Sequence, residues 1–152
     1  MRALVANRQR AVAIRPAALR RAALAAMSAE GCPPGSEASI AVVSDRAIRA
    51  LNRRYLGRDR ATDVLAFPQD ARDGPGKLLG DVVVSAERAA AQAPRYGQTV
   101  EGELEVLVIH GVLHLLGYDD TPPRARLRMR RRQRAILSAL RRGSARCRGA
   151  RR

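Results

Sequence analysis

The segment from His110 to Asp120 constrains this chain more than any other stretch of it. His110 and His114 are its two histidines. Four residues apart on a helix, they project from one face and can share an ion. Gly117 follows and can take the left-handed conformation that ends a helix and turns the chain back. Asp120 then returns a carboxylate towards the same point. The spacing H-x-x-x-H-x-x-G-x-x-D therefore asks for a helix through residue 114, a glycine stop and a tight return. It reads as a site for one divalent metal ion, with zinc expected, used for hydrolysis. Asp119 is a rival third ligand, but the spacing favours Asp120 and leaves Asp119 as a turn carboxylate.

These ligand positions and the turn glycine match the metzincin arrangement H-E-x-x-H-x-x-G-x-x-H, with Asp120 in place of the third histidine. A zinc peptidase carries its general-base Glu directly after the first histidine, where this chain has Gly111. The standard machinery for peptide hydrolysis lacks its proton acceptor, so a peptidase is disfavoured.

The surrounding pattern alternates between strand and helix signals. Strands are expected at Ala3–Ala6, Ser39–Val43, Asp63–Phe67 and Leu79–Ser85, the last two forming a hairpin across a polar Gly/Pro loop at Gln69–Gly76. Helices are expected from Pro16 to Met27, from Arg46 to Leu56 behind Ser44 and Asp45, from Ser85 towards Pro94, and from Thr99 to Leu116. A last helix starts after Thr121-Pro122-Pro123 and ends near Arg142, before Gly143. Leu104, Leu107, Val108, Leu113 and Leu115 are the buried candidates of the histidine-bearing helix. The order β-α-β-α-β-β-α-α-α implies an α+β fold: a small mixed sheet with packed helices, zincin-like in its metal-binding helix. With 152 residues the chain fits one domain, expected over 1–143, with a disordered basic tail at 144–152.

Charge narrows the partners. The net charge is +15, and Lys77 is the only lysine among 29 basic residues. Residues 121–152 hold 13 Arg and no acidic residue, so attraction to polyanions such as RNA follows whatever else the tail does. One Phe, three Tyr and no Trp leave little for an extended base-stacking platform. Cys32 and Cys147 have neither a second cysteine nor a histidine at ligand spacing, which disfavours a zinc ribbon or a disulfide framework. Arginines interrupt the apolar residues of the N-terminal segment, so no membrane span or secretory core is expected and a cytoplasmic setting is.

The run His110-Gly111-Val112-Leu113-His114-Leu115-Leu116-Gly117-Tyr118-Asp119 resembles the YbeY family of endoribonucleases, whose signature is H-G-x-L-H-L-x-G-Y-D-H. Only the final His, replaced by Asp120, departs. Two further segments resemble the family, from Leu51 to Pro68 and from Leu79 to Ser85, so the likeness runs from about residue 39 to 140. It implies a single-strand-specific endoribonuclease of the bacterial cytoplasm that matures ribosomal RNA, notably the small-subunit 3′ end, and acts in ribosome quality control. The ribosome or a ribosomal subunit is then a partner, and no DNA specificity is expected. Carried over by position, His110, His114 and Asp120 are the metal ligands and catalytic residues. A second departure is Leu56, where family members often carry an Arg thought to face RNA; Arg54, Arg58 and Arg60 are the candidates to replace that charge and bind substrate.

A carboxylate ligand lowers the net charge of a zinc site and weakens its Lewis acidity, yet His₂-carboxylate zinc sites are catalytically competent. It also brings harder ions such as Mn²⁺ into consideration. Asp63 and Asp81 read as turn or capping carboxylates. Three rivals remain: a non-catalytic ribosome-assembly factor with a structural metal, the metzincin-like peptidase, and a basic nucleic-acid-coating protein, which accounts for the charge but not for the His-Gly-Asp constellation.

Overall fold

The computed structural model describes residues 1–69 and 77–150. In chain order it contains β1 (Arg2–Asn7), α1 (Pro16–Ala29), β2 (Glu37–Val43), α2 (Asp45–Leu56), β3 (Val64–Pro68), β4 (Leu78–Ser85) and α3 (Ala86–Gln92). A 3-10 turn (Ala93–Tyr96), α4 (Val100–Leu115) and α5 (Pro123–Gly149) complete it. This is the α+β order expected from the sequence. The loop expected at Gln69–Gly76 lies, from residue 70 onwards, outside the described residues.

Side-chain caps set where the helices begin. Ser44 Oγ accepts the N–H of Ala47 at 3.2 Å, Ser85 Oγ that of Arg88 at 3.2 Å, and Thr99 Oγ1 that of Gly102 at 3.0 Å. Each satisfies a donor that the first helical turn leaves without a partner. Pro16 opens α1, where its missing N–H is no loss.

The last helix corrects one expectation. α5 does not end near Arg142; it passes through Gly143 and continues to Gly149. A glycine inside a helix costs only about 1 kcal/mol relative to alanine, and the flanking Ala and Arg residues are good helix formers. Ser144 adds a hydrogen bond from its hydroxyl to the Leu140 carbonyl at 3.1 Å.

The sheet is ordered β1-β2-β4-β3. β1 and β2 are parallel, β2 and β4 are parallel, and β3 runs antiparallel to β4. The parallel neighbours require crossovers, supplied first by α1, whereas β3 and β4 pair as consecutive strands. Alternation along the strands then separates two faces. Ala38, Ile40, Val42, Val82 and Val84 face the main core, with Leu19 and Met27 of α1, Leu104, Val108 and Val112 of α4, and Met129 and Ile136 of α5. A smaller cluster of Val43, Leu65 and Val83 packs with Ile48 of α2. α2 therefore lies across the sheet from α1, α4 and α5.

Within the main core α4 is the central helix. Leu104, Leu107, Val108, Leu113 and Leu115 are buried as expected, and so are Ile109 and Val112. It lies very close to β3 and β4: a Cβ at Gly111 would stand 2.4 Å from Val82 Cγ1 and 3.3 Å from Val64 Cγ2. Glycine is needed here for proximity. Since the contacts come from the sheet side, a side chain at 111 would also point into the sheet.

Two outcomes test this packing. Gly111→Ala is expected to destabilise the fold by about 1–3 kcal/mol through overpacking, read as a lower denaturant midpoint with unchanged slope. Glu103 is buried, and burial, then the neighbouring Asp63, push its carboxyl above the usual range. The folded state thus holds this proton more tightly than the unfolded chain does, and the stability it contributes is lost as pH rises from the ordinary carboxylate range. Glu103→Gln should therefore gain stability over the parent as pH rises above the ordinary carboxylate range, read in urea titrations at several pH values.

Candidate metal centre

The histidine helix ends in a closed turn. The N–H of Tyr118 donates to the Leu113 carbonyl and that of Gly117 to the His114 carbonyl, both at 3.1 Å. This pair of bonds requires a left-handed residue between helix and loop, and Gly117 supplies it with φ 97°. The chain then doubles back and delivers Asp120 to the face carrying His110 and His114.

The three side chains converge. His114 Nε2 lies 3.1 Å from His110 Nε2 and 2.9 Å from Asp120 Oδ2. His110 Nε2 lies 3.7 Å from the same oxygen. The rings meet edge to face, with centroids 4.7 Å apart. Ligands at about 2.0–2.1 Å around a tetrahedral ion stand roughly 3.3 Å from one another, so these separations are those of atoms gathered around one centre. The three residues form a group that can hold a metal ion, all partly exposed. Asp119 is exposed and receives the N–H of Thr121 at 3.4 Å, a turn contact.

The partner on the far side of each imidazole places a proton on Nδ1. His114 Nδ1 lies 3.0 Å from the Tyr118 carbonyl oxygen, which can only accept, so Nδ1 donates. His110 Nδ1 lies 2.9 Å from Gln133 Oε1 on α5 and donates likewise. A neutral ring with its proton on Nδ1 presents a lone pair at Nε2. Two such lone pairs and a carboxylate oxygen facing one another repel unless a cation or proton lies among them, the arrangement expected of a metal site with its outer hydrogen bonds in place.

Those outer bonds are themselves anchored. The Tyr118 hydroxyl donates to Glu30 Oε2 at 3.0 Å, just after α1, and Arg132 of α5 pairs with the other oxygen of Glu30. Burial first, then the hydrogen bond to Glu30, raise the Tyr118 phenol above its ordinary value. One turn of α5 thus ties α1 through Arg132 and His110 through Gln133. The sequence motif did not reveal Gln133. Its signal was present: in a run of arginines it is the uncharged polar residue, and with Met129 and Ile136 it falls on the stripe of α5 that faces the core.

The candidate arginines are placed differently. Arg54 sits in the last turn of α2 and stacks 5.4 Å from the Tyr55 ring centroid, while Arg58 and Arg60 lie in the loop leading to β3; all three are exposed. α2 packs on the face of the sheet opposite α4, and among the described residues no hydrogen bond or ion pair joins these arginines to the histidines or Asp120. Asp63 accepts from Gln92 at 3.4 Å and Asp81 from Gln69 at 3.1 Å; neither belongs to the triad.

Comparison with known proteins places this geometry in a family. Residues 4–141 match the family described as Endoribonuclease YbeY. The chain belongs to the YbeY family. Among curated members bearing that name, the protein of Alkaliphilus oremlandii is 40% identical over 147 residues, covering 92% of this chain and 97% of its own. That of Moorella thermoacetica is 43% identical over 131 residues, covering 80% and 84%. The solution structure of TM1509 from Thermotoga maritima is similar with a TM-score of 0.62 at 25% identity, over 91% of this chain and 88% of that one. The resemblance carried by the sequence motifs therefore holds over almost the whole chain.

Removing an outer hydrogen bond should loosen the centre without removing a ligand. Gln133→Leu is expected to weaken divalent-metal affinity by roughly 10–100-fold, measured by competition with a chromogenic chelator, while far-UV circular dichroism stays unchanged.

Proposed function

We propose that this YbeY-family chain is a single-strand-directed, metal-dependent endoribonuclease that matures ribosomal RNA, with His110, His114 and Asp120 as ligands of one zinc ion. The observation that carries the reading is the convergence of two Nε2 lone pairs and one carboxylate oxygen, with both Nδ1 protons engaged elsewhere. The name shared by its curated relatives supplies the reaction class, cleavage within RNA.

A zinc ion held there would supply a water acidified towards neutral pH and a Lewis acid for a phosphate oxygen. The chain's own residues do the rest. Gln133 and the Tyr118 carbonyl hold the imidazoles in one tautomer and one orientation. Asp120 brings a negative charge to the site, which offsets part of the ion's charge and admits Mn²⁺ as an alternative. Arg54, Arg58 and Arg60 are assigned to phosphate binding on the strength of their charge and fork geometry. Small-subunit ribosomal RNA is the substrate, the ribosome the partner and the cytoplasm the setting, in keeping with the family and with the absence, among the described residues, of a helix long and apolar enough to cross a membrane.

A second reading, a ribosome-assembly factor with a structural metal, is disfavoured by ligand count. Structural zinc sites are closed by four protein ligands, and the group here offers three. The peptidase reading weakens further, because position 111 faces Val82 and Val64 rather than the space among the ligands.

The test combines elemental analysis with cleavage of an unstructured RNA. The parent chain should hold close to stoichiometric metal and cut the RNA. His114→Ala should lose both, Asp120→Ala should lose most of its metal, and Asp120→His should retain metal and activity. Full cleavage by a metal-free His114→Ala chain would sink the assignment.

A further inference from the structure

The strongest charged feature outside the triad is on α5. A groove of about 550 Å³ runs between this helix and the metal turn, lined by Tyr118, Arg124, Leu127, Arg128, Arg131, Arg132 and Ala135. Arg124, Arg128 and Arg131 follow one another at four- and three-residue steps, so their guanidinium groups form one stripe along the helix. At a rise of about 1.5 Å per residue the stripe spans roughly 10 Å.

Its charge is uncompensated. Arg132 is engaged by Glu30, but among the described residues no carboxylate lies within ion-pairing distance of Arg124, Arg128 or Arg131, all of them exposed. No acidic residue follows Asp120 in the sequence. Three fixed cations at helical spacing repel one another mildly, which an anion placed between them relieves. One wall of the groove leads to the triad: Tyr118 holds His114 through its carbonyl and stands two residues before Asp120.

We propose that Arg124, Arg128 and Arg131 form a phosphate ladder on α5 that takes the backbone of single-stranded RNA beside the metal turn. The proposal rests on the endoribonuclease reading for its ligand and adds a binding surface on the α4 and α5 side of the sheet, across from Arg54, Arg58 and Arg60. Arginine forks suit successive phosphates, each able to take a bidentate contact. An apolar membrane face is not available, because the apolar stripe of α5, Met129 and Ile136, is buried in the core. The exposed Leu127 offers a base or ribose a single apolar contact within the groove.

The experiment measures binding of a fluorescent, unstructured RNA to the metal-loaded full chain across a salt series. The variants are the triple Arg124→Gln, Arg128→Gln, Arg131→Gln and a charge-matched control, Arg10→Gln, Arg46→Gln, Arg95→Gln, whose side chains are exposed elsewhere. Each phosphate contact on a single strand contributes about 0.7 to the slope of log affinity against log salt, so the ladder variant should lose about 2 and the control much less. Equal slopes for ladder variant and control overturn the proposal, as does a ladder variant that loses binding to anionic phospholipid vesicles while its RNA slope stays at the parent value. Circular dichroism checks that all chains fold alike. The slope is read without turnover. A parent chain that binds RNA but does not cut it would therefore refute the enzymatic reading and leave the ladder to be judged separately.

Discussion

The site depends on how closely α4 lies against β3 and β4. A helix that carries two metal-ligand candidates must also serve as the centre of the core, and both requirements meet at Gly111, where no Cβ fits against Val82 and Val64. That contact fixes the height of the helix above the sheet, and hence where His110 and His114 emerge. The buried apolar residues on the rest of α4 anchor it in the core. Because interiors are close-packed, a shift of the helix would be felt throughout the core, and this rigidity is what holds two imidazole nitrogens 3.1 Å apart. The turn that follows repeats the economy: the two hydrogen bonds that end α4 also present the Tyr118 carbonyl to His114 and Asp120 to the triad.

Much of this was legible in the sequence because local rules and tertiary structure agree. Ser44, Ser85 and Thr99 cap the helices they were expected to cap, and Gly117 ends α4 in the conformation its spacing demanded. The triad was readable for the same reason: helix period and a glycine stop are local geometry. What the sequence hid is what depends on separate elements meeting. Gln133 reaches His110 from α5, and Glu30 reaches Tyr118 from the end of α1; no spacing within one element encodes either contact. Gly111 was legible as a missing general base, but its packing role appears only once the sheet lies beneath it. The end of α5 was misjudged because a single glycine among strong helix formers is too weak a stop when no cap follows it.

Charge and chemistry are arranged on different scales. The triad is short-range and geometric, with each ligand oriented by one identifiable hydrogen bond or turn. The arginines act as a field: they raise the local concentration of any polyanion and lose strength as salt rises. Within that field the stripe on α5 is set apart by lying against the metal turn; like most of the described arginines it has no carboxylate partner among the described residues, whereas Arg15, Arg49 and Arg132 are each paired with an acidic side chain. α5 therefore carries three functions on two stripes: Met129 and Ile136 for the core with Gln133 between them for the site, and Arg124, Arg128 and Arg131 for charge.

The tautomers of the two imidazoles bear most directly on the site. Long-range proton–nitrogen correlation spectra of the chain labelled with nitrogen-15 at histidine read them without interference, since His110 and His114 are its two histidines. Both rings should carry their proton on Nδ1, and stoichiometric zinc should move both Nε2 resonances while the Nδ1 protons remain. An Nδ1 without its proton on either ring, or Nε2 resonances indifferent to zinc, would contradict a metal centre built on His110, His114 and Asp120.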